Sequence, residues 1–111
     1  MKKVSLTELP REGVSHDPQI TKQVMLRRGD VPHLTAFSRS TLLPGQTARA
    51  HEHADMFEVF FVESGAGVMK IADAEYQLER GVCVLVEPGE RHEIMNRGPA
   101  DLVLLYFGVA A

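Results

Sequence analysis

The chain has 111 residues, 44% of them hydrophobic and 24% charged, which suits one ordinary globular domain and leaves no room for a second independent core. With 12 Lys and Arg against 15 Asp and Glu the formal charge is -3, which argues against nucleic acid as a partner, and no stretch reaches the roughly 20 apolar residues of a membrane span. The single cysteine, Cys83, excludes an intrachain disulfide, and Met1-Lys2-Lys3 leads into Ser5, Thr7 and Glu8 rather than an apolar signal core, so a cytoplasmic protein is expected.

In chain order, residues 1–21 mix Pro10, Gly13 and Pro18 with charges and lack the period of a packed helix, so they read as an extended N-terminal arm before a domain over 22–111. Ser5 and Glu8 have the form of a capping box, but Pro10 and Gly13 stand where an apolar helical run belongs. Lys22 to Arg28 carries Val24, Met25 and Leu26, enough for one strand on a sheet edge or crossing to a second subunit.

From His33 onward Pro44-Gly45, Gly65, Gly67, Asp73-Ala74, Gly81, Pro88-Gly89 and Gly98-Pro99 bound short segments rich in Val, Leu, Ile, Phe and Tyr, which is all-β punctuation. Eight strands are predicted: His33–Leu42, Thr47–His53, Phe57–Glu63, Val68–Ala72, Glu75–Leu78, Val82–Val86, His92–Asn96 and Leu102–Gly108. That number and spacing suggest a sandwich, jelly roll or small barrel. Val82–Val86 and Leu102–Phe107 are apolar on both alternating faces, so each needs an outer covering as well as a core, and a homodimer interface is the simplest one.

His51-Glu52-His53 sets two imidazoles at i and i+2, on one face of a strand. Glu58 alternates in phase with Phe60 and Val62, which aims a carboxylate into an apolar interior, a costly placement unless the group is paired or ligates a metal. His92 opens a further strand after the Pro88-Gly89 turn. Three nitrogens and one oxygen suit one divalent transition metal.

These residues resemble the two motifs of the cupins. Gly45, His51, His53, Glu58 and Gly65 match the first, G-x5-H-x-H-x3,4-E-x6-G; Gly81, Gly89, His92 and Asn96 match the second, G-x5-P-x-G-x2-H-x3-N. Glu87 stands at the proline position of the second motif, with Pro88 one residue later. The resemblance implies a single-domain jelly-roll β-barrel with an interior metal held by His51, His53, Glu58 and His92. Family members use iron, manganese, nickel, copper, cobalt or zinc there, with one or two positions left for water, dioxygen or substrate.

Three uses of such a site stay open. One is an enzyme of dioxygenase, isomerase or decarboxylase/lyase type acting on a small oxygenated compound, with Glu58 both ligand and catalytic residue; the others are a small-molecule binding or sensing module and a barrel with a structural metal. Among the remaining residues, His33 reads as a surface or core-edge histidine and His16 as solvated. Cys83 reads as an inert core residue, and Phe60 as the aromatic best phased to shape a pocket. Asn96 fits a turn or a hydrogen-bonding role beside the metal equally well, and Gly65 and Gly67 fit a hairpin rather than a phosphate cradle.

Overall fold

The computed structural model describes residues 1–111. Ten strands form: β1 (Glu12–Val14), β2 (Asp17–Arg27), β3 (Leu34–Leu42), β4 (Thr47–His51), β5 (Met56–Ser64), β6 (Ala66–Ile71), β7 (Ala74–Glu79), β8 (Cys83–Val86), β9 (His92–Met95) and β10 (Leu102–Ala110), after a single 3-10 turn at Leu6–Glu8. They make a six-stranded sheet in the order β1-β2-β3-β10-β5-β8 and a four-stranded sheet in the order β4-β9-β6-β7, antiparallel throughout. No helix is long and apolar enough to cross a membrane.

The two sheets face each other because their strands alternate. On β5 Glu58, Phe60 and Val62 are buried, and on β10 their neighbours Gly108, Tyr106 and Leu104 lie in register with them. Phe60, Val62 and Leu104 join Ile20, Leu42, Met69, Leu78, Val86, Ile94 and Leu102 in one buried cluster between the sheets, with Tyr106 packed against it, and removal of this cluster from water is the main stabilising term of the fold. Gly108 is required beside Glu58, since a Cβ there would stand 2.1 Å from the Thr35 hydroxyl oxygen.

All eight strands expected after His33 are present, with ends displaced by a residue or two. Before them the segment read as an arm contributes β1 and β2 to its own chain's sheet, and β2 starts at Asp17, five residues earlier than expected and across the division at residues 21 and 22. Pro18 is tolerated because pairing with β3 begins only at Thr21, so the missing N–H of proline breaks no ladder bond there.

Cys83 departs from expectation. It is exposed rather than core, because the β5–β8 register pairs Cys83 with Phe61 and Leu85 with Val59, placing all four on the outer face. Phe61 is 41% and Leu85 54% exposed. Glycines 65 and 67 do serve the β5–β6 hairpin: Gly65 takes a φ of +81°, and a Cβ would stand 2.1 Å from the Asp101 carbonyl oxygen.

Candidate metal centre

His51 and His92 are direct cross-strand partners on β4 and β9, which brings their ring centroids to 4.4 Å. β4 ends at His51, so His53 lies in the connection to β5 rather than on the expected strand; its carbonyl accepts a hydrogen bond from the Gly89 N–H at 2.8 Å, fastening it to the turn before β9. Glu58 reaches in from the opposite sheet. The ligand-capable atoms of His51, His53, Glu58 and His92 all lie within 4.8 Å of one another. Around one ion with bonds of about 2 Å, ligand atoms stand up to roughly 4 Å apart, so only slight contraction separates this cluster from a coordination sphere.

The hydrogen bonds around the cluster prepare it for a cation. Nδ1 of His51 donates to the Arg49 carbonyl at 2.9 Å, and Nδ1 of His92 donates to the Glu90 carbonyl at 3.0 Å. Each bond fixes the tautomer and leaves the Nε2 lone pair free. Glu58 Oε1 lies 3.3 Å from both His53 Nε2 and His92 Nε2, yet Glu58 Oε1 and His92 Nε2 are buried without a hydrogen-bond partner. Orphaned, inward-aimed donor atoms of this kind are costly alone and are satisfied together by a metal ion. Burial, only partly opposed by the Arg49 carbonyl, holds the His51 pKa below its ordinary value, and the neighbouring imidazoles add to the shift; a neutral imidazole is the form that ligates. Burial also pulls His92 down, but the Glu58 carboxylate and the Glu90 carbonyl outweigh it and hold His92 above the ordinary value.

The cluster opens into a cavity of about 190 Å³ between the sheets, with His51, His53 and Glu58 in its wall and His92 behind them, 1% exposed. Phe60 lines the cavity as expected and stacks on Tyr106, centroids 5.5 Å apart. Burial, reinforced by the Glu58 carboxylate and opposed by the neighbouring Ser38 hydroxyl, pushes the Tyr106 hydroxyl up to about 12, so it stays a neutral donor. Asn96 resolves as a turn residue: its amide donates to the carbonyls of Leu42 and Ala100, and its Oδ1 accepts from Gly98 N–H. His33 is exposed and outside the cavity.

Val14, Ser15, His16 and Ile20 line the cavity from the segment read as an arm, and Lys22 lines it from the first residue after that segment. Although exposed, His16 stacks on His51 with centroids 4.5 Å apart and planes inclined by 26°. Arg49 holds it there, donating from Nη2 to the His16 carbonyl at 2.8 Å and from Nε and the backbone N–H to the Asp17 carboxylate at 2.7 and 2.9 Å. Nothing local in the sequence announces this contact, which depends on where the β1–β2 turn packs. Lys22 carried a signal, since it alternates in phase with the buried Ile20 and Val24.

Asp17 is 1% exposed. Burial would raise its pKa, but the Arg49 bonds reverse the shift and hold it below the ordinary 3.8. A carboxyl that titrates lower in the native state contributes stability that is complete above the ordinary value and is lost as the pH falls through the native one. Asp17→Asn is therefore expected to cost about 1–3 kcal/mol near neutrality and to flatten this part of the acid limb, as measured by denaturant unfolding from about pH 2 to 7.

The Cupin domain family model matches residues 38–108. The oxalate-binding protein of Thermotoga maritima is 32% identical over 69 residues, 62% of this chain and 57% of that protein; the tetracenomycin polyketide synthase protein TcmJ of Streptomyces glaucescens is 34% identical over 64 residues, 56% and 43% of the two chains. This chain thus spans about half the length of the curated relatives it matches. The crystal structure of a predicted oxalate decarboxylase from Thermotoga maritima superimposes with a TM-score of 0.91 at 23% identity, covering 99% of this chain and 100% of that one, a likeness of fold. Both histidine motifs fall within the matched span and meet at one point between two antiparallel sheets: the chain belongs to the cupin domain family.

Proposed function

We propose that His51, His53, Glu58 and His92 hold one divalent transition metal, and that the protein is an enzyme acting on a small oxygenated organic compound bound in the adjoining cavity. The observation that carries this reading is the opening of the cluster into that cavity; a purely structural metal needs no such access. When bound, the ion supplies Lewis-acid polarisation of ligand oxygens or a site for dioxygen. Glu58 lowers the positive charge of the site and stands where it can accept a proton, as a catalytic residue. The apolar wall of Ile20, Leu42, Ile94 and Leu104 excludes water, and Tyr106 offers a neutral donor to a ligand oxygen. A binding module has support of its own, since one matched relative is named an oxalate-binding protein. Dioxygen-uptake and product assays on metal-loaded protein, with small acids, diketones and phenols, decide between them: turnover of any compound supports the enzyme, and saturable binding with no turnover supports the module.

We further propose that the chain works as a homodimer through the outer face around Phe61, Leu85, Leu105 and Phe107, without nucleic-acid or membrane partners. An apolar sheet face of this kind is covered in most oligomers. Sedimentation is expected to give a dimer for the wild type and at least ~10-fold weaker association for Phe61→Glu; a wild type that stays monomeric at high concentration removes the proposal.

A further inference from the structure

β4 carries one residue more than its partner strand between two inward-facing positions. On β9, His92 and Ile94 are two residues apart and both are buried, as strand alternation requires. Their partners on β4, His51 and Ala48, are three residues apart, yet both line the cavity. Regular alternation would put them on opposite faces, and a bulge at Arg49 and Ala50 restores the phase. The two N–H groups inside the bulge end on carboxylates of other strands. Arg49 N–H donates to Asp17 Oδ2 on β2 at 2.9 Å, and Ala50 N–H donates to Glu93 Oε2 on β9 at 3.3 Å. Asp17 is buried and Glu93 partly so. Between these two anchors the Arg49 carbonyl accepts from His51 Nδ1 at 2.9 Å.

We infer that Asp17 and Glu93 are positioning residues of the metal centre: their carboxylates clamp the bulge that turns His51 inward and hold the Arg49 carbonyl on its Nδ1. This rests on the proposed metal. A bulge re-aims a side chain by giving up ladder bonds, and a backbone N–H left without a partner there is costly. An ionised acceptor makes the stronger bond to such a group. Neither acid belongs to the four converging ligands; each acts through the backbone next to His51. An outer partner that fixes the orientation of a ligating ring sets the affinity of the site. The Arg49 guanidinium has a different task, tying the Asp17 carboxylate and the His16 carbonyl to β4, so it matters for stability more than for the metal.

The test is cobalt affinity by chelator competition, with NMR of the cobalt form to follow the protected imidazole N–H signals of His51 and His92, in wild type, Asp17→Ala, Arg49→Met, Glu93→Ala and Glu93→Gln. Asp17→Ala and Glu93→Ala are expected to bind cobalt roughly 10- to 100-fold more weakly and to lose the His51 signal to solvent exchange while keeping that of His92. Glu93→Gln retains an oxygen acceptor for Ala50, and Arg49→Met retains the backbone at 49, so both should stay within a few-fold of the wild type whatever their thermal stability. If Asp17→Ala does not fold, the Glu93 pair decides alone. Wild-type affinity with an intact His51 signal in the folded alanine variants overturns the positioning role and leaves the metal site standing, and so do losses in Glu93→Gln and Arg49→Met as large as in the alanine variants. Failure of the wild type to bind cobalt at all is the separate outcome that removes the metal reading, and the positioning role with it.

Discussion

Alanine at His51, His53 or His92 is expected to abolish stoichiometric metal binding, weakening it by more than the roughly 10- to 100-fold that loss of an outer hydrogen-bond partner costs. His92 should have the largest effect. It is 1% exposed, its Nε2 has no other partner, and its Nδ1 is already committed to the Glu90 carbonyl, so nothing nearby can substitute for it. His33→Ala is the control, since His33 lies outside the cavity, and should load like the wild type. His16→Ala removes a ring stacked on His51 but none of the four converging donors, so it should still take up about one ion per chain. Elemental analysis after metal loading and desalting reads all of these. Equal loading of His92→Ala and wild type contradicts the assignment.

Glu58→Gln separates the use of the metal from its retention. Three imidazoles still converge in this variant, so a measurable fraction of the metal should remain, but the site gains one positive charge and loses the carboxylate placed to accept a proton. Turnover per bound ion is expected to fall by about 10²- to 10⁴-fold, the usual worth of a positioned general base, and the affinity for small oxyanions should change. A structural metal would respond differently: thermal stability would fall in proportion to the metal lost, and no ligand would alter the site. Metal content and activity measured on the same preparation keep the two readings apart.

Much of this was legible in the sequence because two-residue alternation and turn chemistry are local. Glu58 declared itself by sharing a face with Phe60 and Val62, and all three are buried. His51 and His92 each stood on an expected strand, and the pairing of β4 with β9, which the sequence did not give, makes them register partners. What the sequence hid was set by tertiary register. Cys83 belongs to a run apolar at every position, where alternation has no phase to read, and only pairing with Phe61 turns it outward. Asp17 through Ile20 carry one apolar side chain and a proline, so the first half of β2 looked like a loop. With it went the Asp17–Arg49 contact that seats His16 on His51. The histidine pair 51 and 53 converges as the i, i+2 rule requires, although β4 stops at His51 and a backbone bond to Gly89, not the strand, holds the second ring.

The most direct test of the account is a crystal structure of the metal-loaded protein with anomalous data collected at the metal edge. It should place one ion per chain bonded to Nε2 of His51, His53 and His92 and to a Glu58 oxygen, at about 2.0–2.2 Å, with a further position facing the cavity. An ion elsewhere, an ion lacking two or more of these ligands, or a closed four-coordinate site with no access to the cavity would contradict it.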